Sequence, residues 1–271
     1  MNKEPMNRLS TEDIETYQRD GVVCLKNVLD VEWIVALSEA IDADIRNPGP
    51  MHYGYEGDGG FHGNQEIWQL YDACRQYCLE SPLPGLAAKL LGSDSVTFYF
   101  DHLFVKEPGA TSVTPWHNDQ PFWPIGGSQI VSFWTSLDKV TRESGAVEYV
   151  KGSHLWDRWF QPRSFGPSKK GYIGAYEQNA DYEPIPDIDL HRDDYDIVSF
   201  NTEPGDLVAF SAMTLHGAGE NLSARRRRGY AIRYCGDDVY YEPRTGVSSL
   251  LLVDDIKAGE PLDPIRHPQV I

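Results

Sequence analysis

Trp116-His117-Asn118-Asp119 is the stretch whose reading decides the fold. In a β-strand side chains alternate between faces, so His117 and Asp119, two positions apart, can point into one cavity while Asn118 points away. One imidazole and one carboxylate are then aimed at a single point. A second imidazole from another strand would complete the two-histidine, one-carboxylate set that holds non-heme Fe(II) and leaves positions open for a cosubstrate and dioxygen. His216, in Leu215-His216-Gly217, is the candidate for it. A His-x-Asp triplet alone is a weak signal, because most histidines are structural, so its surroundings decide.

Gly205-Asp206-Leu207-Val208-Ala209-Phe210 reads as a turn and a strand that delivers His216 back to the cavity, and Gly217 and Gly219 allow a sharp turn after it. Arg227 follows His216 by 11 residues, far enough for a hairpin to return it on the adjacent strand near the metal. Within Arg225 to Arg228 most of the run reads as a solvated basic patch. By strand alternation Arg227 shares a face with Gly229, Ala231 and Arg233, while Arg228 goes with Tyr230, Ile232 and Tyr234. The small residues leave room for a ligand, so Arg227 and Arg233 are expected to look inward.

The rest of the chain fits a mostly β protein with flanking helices. Ser10-Thr11-Glu12-Asp13 opens a helix to Asp20, and Gly21 ends it; Asp30 caps a second helix carrying Trp33, Ile34, Leu37, Ile41 and Ile45 at helical spacing. From Asn47 to Asn64 glycine, proline and tyrosine suggest a loop over a site, followed by helices around Glu66–Leu79 and Pro84–Leu91. Short β-forming runs then cover Ser95–Lys106, Gln129–Leu137, Gly145–Val150, Ile197–Phe200, Asp206–Phe210 and Gly229–Tyr234. Helices first and strands afterwards predict an antiparallel sandwich or barrel buttressed by helices. One domain over 1–271 is expected, with helical support mainly in 9–92, a β core in about 95–235 and an extension over 236–271. The acidic stretch from Asp181 to Asp196 reads as a solvated face, and the long connection over 155–200 as a lid.

Composition narrows the partners. A net charge of −17 argues against nucleic acid and anionic membrane surfaces, both of which need a basic footprint. Cys24, Cys74, Cys78 and Cys235 read as reduced thiols rather than a zinc set, and Met1 to Arg8 holds no apolar run of signal-peptide type. With no membrane-span stretch and no strong peroxisomal address in His267–Ile271, a cytoplasmic monomer or homodimer acting on a small molecule is the expectation.

Asp20-Gly21 before a strand, Trp116-His117-Asn118-Asp119, Trp134-Thr135-Ser136-Leu137-Asp138, Gly152-Ser153-His154, and His216-Gly217 through Asn221, Ser223, Arg227 and Arg228 occur here in one order. Together they resemble the phytanoyl-CoA dioxygenase family over roughly Leu9 to Tyr234. The resemblance implies a double-stranded β-helix, or jelly-roll, fold of the cupin-like kind and an Fe(II)- and 2-oxoglutarate-dependent oxygenase. It implies iron on His117, Asp119 and His216, and the distal carboxylate of 2-oxoglutarate on Arg227. A planar guanidinium suits that role, because it pairs with a carboxylate through two parallel charge-assisted bonds. Dioxygen would be consumed, succinate and carbon dioxide released, and a C–H bond of a small molecule oxidised, most simply to an alcohol. Two positions depart from the pattern: Ala218 stands where many members have Ser or Thr, which removes that auxiliary cosubstrate contact from what carries over, and Lys151 replaces a common Pro. Asp119 favours oxygenation over halogenation, since family-like halogenases lack the carboxylate.

Softer assignments complete the set. Lys106 and Trp134 are candidates for the cosubstrate pocket, and His102, Trp123, Trp156 and Arg233 for the substrate side. Core packing would use several of the same residues. Two rival functions remain at this level: a cupin-like hydrolase or isomerase with the same ligands and no 2-oxoglutarate, and a non-catalytic jelly-roll binding protein. Arg227 discriminates, since neither rival needs it. A coenzyme A thioester is less attractive for so acidic a chain, although Arg163, Lys169 and Lys170 could form a local basic rim.

Overall fold

In the computed structural model, which describes residues 1–54, 60–163, 176–247 and 251–271, the N-terminal third forms the helical support. Ser10 and Asp13 exchange side-chain and backbone hydrogen bonds in a capping box at the start of α1 (Thr11–Asp20), and Gly21 ends it at φ 74°. β1 (Val22–Leu25) follows directly. The Asp30 carboxylate accepts the Trp33 N–H at 2.9 Å and opens α2 (Val31–Arg46), whose Trp33, Leu37 and Ile41 are buried.

Two expectations for this region need correction. The loop expected over Asn47–Asn64 contains a strand, β2 (Phe61–Gln65), whose His, Gly, Asn and Gln residues give no β-forming signal; 55–59 lie outside the described residues. The helix expected over Glu66–Leu79 is broken into a single 3-10 turn at Ile67–Gln69 and α3 (Asp72–Glu80). Glu66 sits at φ 59°, and the Trp68 N–H donates at 3.0 Å to the buried carboxylate of Asp101, distant in sequence, instead of to a helical carbonyl. α4 (Leu83–Leu91) ends at Gly92 as the sequence predicts.

The remaining strands are β3 (Thr97–Lys106), β4 (Thr114–His117), β5 (Ile125–Gly126), β6 (Ile130–Ser136), β7 (Val147–Val150), β8 (Ile197–Ser199), β9 (Leu207–Ser211), β10 (His216–Ala218), β11 (Arg227–Cys235) and β12 (Tyr240–Tyr241). They pair antiparallel into a six-stranded sheet, β1-β9-β6-β11-β3-β2, a four-stranded sheet, β4-β10-β7-β8, and the pair β12-β5. This is the jelly-roll core. Alternation gives the larger sheet two uses: Tyr230, Ile232, Tyr234, Leu103, Val105 and Phe133 pack with α2, α3 and α4 in the main apolar core. The opposite faces of the same strands line a cavity that the smaller sheet closes. Gln161 and Glu183, Arg158 and Glu183, and Trp159 and Tyr182 tie the two described ends of the 155–200 connection together, while 164–175, with Lys169 and Lys170, lie outside the described residues. All four cysteines are free, and among the described residues no helix is long and apolar enough to cross a membrane.

Asp101 faces the core, not the cavity. Its Oδ2 accepts from the Tyr230 hydroxyl at 2.6 Å, its Oδ1 has no partner, and burial raises its pKa to about 7. A carboxyl with a raised folded-state pKa holds its proton more tightly folded than unfolded. Its contribution to stability is full below the unfolded value of about 3.9 and is lost as pH rises through about 7. Thermal melts of Asp101→Asn against the parent chain are therefore expected to diverge with pH: the variant gains several degrees relative to the parent between pH 5 and pH 8.

Candidate metal and cosubstrate site

His117 ends β4, and His216 opens β10 directly opposite it, so the two rings stand 4.2 Å apart between centroids. Asp119 is not on the strand, as simple alternation would have it: with φ −75° and ψ −43° it opens a 3-10 turn over Gln120–Phe122. Its N–H donates to the Ala212 carbonyl at 2.8 Å, and that anchor turns the carboxylate back under the imidazoles. Asp119 Oδ1 lies 3.4 Å from His117 Nε2 and 3.8 Å from His216 Nε2, and the three possible ligand atoms all lie within 4.8 Å of one another. Asn118 points away, toward the Arg158 carbonyl.

Each donor is aimed by a second contact. His117 Nδ1 is 2.8 Å from the Pro115 carbonyl and His216 Nδ1 2.9 Å from the Thr214 carbonyl, so each Nδ1 carries the proton and each Nε2 presents a lone pair inward. Asp119 Oδ2 receives the Ser132 hydroxyl at 3.4 Å and lies 3.6 Å from Arg233 Nη2, which leaves Oδ1 for the centre. Burial, then the neighbouring His117, lowers the His216 pKa to about 3, keeping it neutral. Burial works against the Asp119 carboxylate, but the adjacent His117 and the nearby Arg233 outweigh it, and its pKa falls below the ordinary range. Two neutral imidazole nitrogens and one ionised carboxylate oxygen are the donor set a first-row divalent metal takes.

The cavity has a volume of about 380 Å³, and Arg227, Lys106 and Trp134 line it. Arg227 is 2% exposed; Nη2 donates to the Gly145 carbonyl at 2.9 Å, Nε has no partner, and burial lowers its pKa to about 10. It stands 5.5 Å from the centre of the Trp134 ring. A buried guanidinium that lacks a carboxylate among the described residues is costly unless a ligand supplies one, and a dicarboxylate would. Lys106 pairs with Arg227 across the strands, its ammonium held by the Ser112 and Gly219 carbonyls. The room expected beside Gly229 is taken: a Cβ there would come within 2.3 Å of the Trp134 indole, so the glycine lets Trp134 lie flat beside Arg227. Ala218 faces the cavity with no hydroxyl, opposite Thr114.

On the other side of the metal position stand His102, Trp123 and Arg233. His102 Nε2 is 2.7 Å from the Tyr53 hydroxyl, and burial, then Arg233, keeps the imidazole neutral. Trp156 does not join them: it packs with Val150, Phe160, Ile188 and Leu215 in a separate cluster, because the short turn at Ser153–Leu155 carries it off the cavity face. Sequence reasoning missed the far wall, where Leu251, Val253, Ile256 and Leu262 of the C-terminal extension line the cavity. Leu251-Leu252-Val253, an apolar run in a polar segment, was the available signal. Arg244 ties that extension to the turn after Asp119 by donating to the carbonyls of Gln120, Trp123 and Ile125.

The family model of phytanoyl-CoA dioxygenase matches residues 17–229. The chain belongs to the phytanoyl-CoA dioxygenase family. Membership makes it an iron- and 2-oxoglutarate-dependent oxygenase that consumes dioxygen. Peroxisomal phytanoyl-CoA dioxygenase of Rattus norvegicus is 24% identical, the alignment covering 89% of this chain and 73% of that protein. L-Proline trans-4-hydroxylase of Streptomyces griseoviridis is 25% identical over 80% of this chain and 83% of the relative. Among solved structures, the non-heme alpha-ketoglutarate-dependent carbocyclase SnoK from nogalamycin biosynthesis superposes with a TM-score of 0.76 at 23% identity, covering 100% of both chains.

Metal that binds the folded chain stabilises it by mass action, by about 2.7 kcal/mol at a hundredfold excess over Kd. Mn(II) or Co(II), neither of which needs anaerobic handling, is expected to raise Tm by about 5–10 °C. In His216→Ala the increment should vanish in the same melt.

Proposed function

We propose that His117, Asp119 and His216 hold Fe(II), that Arg227 receives the distal carboxylate of 2-oxoglutarate, and that the product is the alcohol of a small-molecule C–H substrate. Bound together, iron, 2-oxoglutarate and dioxygen supply the oxidising power, with succinate and carbon dioxide as coproducts. The chain's residues supply placement. Trp134 forms the flat wall beside Arg227, and Lys106 adds positive potential at the same end. Arg233 and Ser132 fix which carboxylate oxygen of Asp119 faces the metal. His102 and Trp123 stand where the substrate's reacting carbon would approach, and their burial keeps water from competing.

The observation that carries this reading is the buried Arg227, with its unpartnered Nε, in the same cavity as the triad. A hydrolase or isomerase using the three ligands alone would leave that charge buried without purpose. A binding module would not need the triad.

Anaerobic protein given Fe(II) and 2-oxoglutarate is expected to develop a metal-to-ligand charge-transfer band, and Arg227→Ala should raise the 2-oxoglutarate concentration needed for half its intensity by about 30-fold or more, in line with a lost buried charge pair. Absence of the band in the parent protein, or an unchanged titration in the variant, sinks the proposal. A succinate-release screen over a chemically diverse library then identifies the substrate, with mass spectrometry of any hit for the gain of one oxygen.

A further inference from the structure

Arg233 touches Asp119 but stands away from the Arg227 end of the cavity. It lies six residues along β11 from Arg227, roughly 20 Å of strand at about 3.3 Å per residue, at the opposite end of the cavity. It also lies beyond residue 229, where the family match stops. Its guanidinium is 4% exposed, flanked by Phe100 at 4.6 Å and Trp123 at 5.7 Å. Polar satisfaction is poor for so buried a cation: Nη2 stands 3.6 Å from Asp119, Nη1 reaches the Ala231 carbonyl at a long 3.4 Å, and Nε has no partner.

Charge balance adds a second argument, which rests on the metal and cosubstrate reading above. A divalent metal and a dicarboxylate cancel, which leaves one carboxylate, Asp119, against three buried cations lining the cavity, Lys106, Arg227 and Arg233, of which Arg233 stands beside it. When a metal draws on the Asp119 charge, Arg233 is the cation short of an anion. Burying a charge without a partner costs several kcal/mol, so a ligand that brings one is favoured there.

The surroundings set what the ligand's body must be. Phe100, Trp123, Ile125, Leu251, Val253 and Leu262 give this end apolar walls, aromatic beside the guanidinium and aliphatic beyond it. At the solvent side the charged lining residues are Glu66 and Asp263 against Arg266, whose Nε lies 3.7 Å from Asp263. That rim does not suit the phosphates of a nucleotide-bearing thioester, and about 380 Å³ must also hold 2-oxoglutarate.

We propose that the substrate is a compact, apolar, ring-bearing carboxylic acid whose carboxylate seats on Arg233 between Phe100 and Trp123, with its ring body against the C-terminal wall. Arg233 is then the residue that selects the substrate class.

The test uses 2-naphthoate and 2-naphthamide, matched in shape and differing in charge, against the full-length protein carrying Fe(II) and 2-oxoglutarate without oxygen at pH 7.5. Binding is read by tryptophan fluorescence and by perturbation of the charge-transfer band. The acid is expected to bind at least about tenfold tighter than the amide, and Arg233→Met to remove that preference, with Arg233→Lys restoring part of it. Equal binding of acid and amide, or no binding of either, overturns the proposal. So does an Arg233→Met variant that keeps the parent's preference for the acid over the amide, because the carboxylate would then seat elsewhere. A parent protein without the charge-transfer band defeats the cosubstrate reading instead, and the fluorescence comparison still reports on the acid. Should Arg233→Met not fold, the acid–amide comparison on the parent protein decides alone.

Discussion

Everything in the cavity depends on the register of β11 between β3 and β6. In that register Arg227 sits beside Lys106, Gly229 between Phe104 and Ser136, Ala231 between His102 and Trp134, and Arg233 beside Phe100 and Ser132. A slip of one residue would turn both arginines into the apolar core and the Tyr230, Ile232 and Tyr234 side chains into the cavity. Burial resists that slip from both sides. Tyr230 and Tyr234 are locked on the helical side by hydrogen bonds to Asp101 and to the Cys78 carbonyl, at 2.6 and 2.7 Å. The strand that carries the cavity's cations is thus fixed by the tyrosines on its back.

The metal end is built differently. Its precision comes from short backbone contacts: each histidine is oriented locally by the carbonyl two residues before it, and the Asp119 turn by the Ala212 carbonyl from a distant stretch of chain. Such local anchoring is compatible with a cross-strand pair, because the β4 and β10 strands need only four and three residues to place His117 opposite His216. The contacts that orient the donors are present without a ligand, so binding has little side-chain ordering left to impose.

The parts legible in the sequence were those governed by period and capping. Ser10, Asp30 and Gly92 mark helix ends because unsatisfied backbone groups need them, and the alternation in β11 separated Arg227 and Arg233 from Arg228. The His117–His216 partnership was readable from residue type. What failed had non-local causes. β2 is a strand by virtue of pairing with β3, not by its own residues. Trp68 leaves its helix because Asp101, distant in sequence, competes for its N–H. Trp156 lies off the cavity because a turn, invisible to composition, rotates it away. Trp134 fills the space beside Gly229 because a large ring on the neighbouring strand had the right register.

The family match ends at residue 229, while Arg233 and the apolar segment over 251–262 lie past it. His117, Asp119, His216 and Arg227 lie inside. The triad and Arg227 are held in place by the geometry of the jelly roll. The apolar segment over 251–262 closes the cavity from outside the sheets, tied to the turn after Asp119 by the three carbonyl contacts of Arg244. A scaffold divided in this way can change what it oxidises while keeping how.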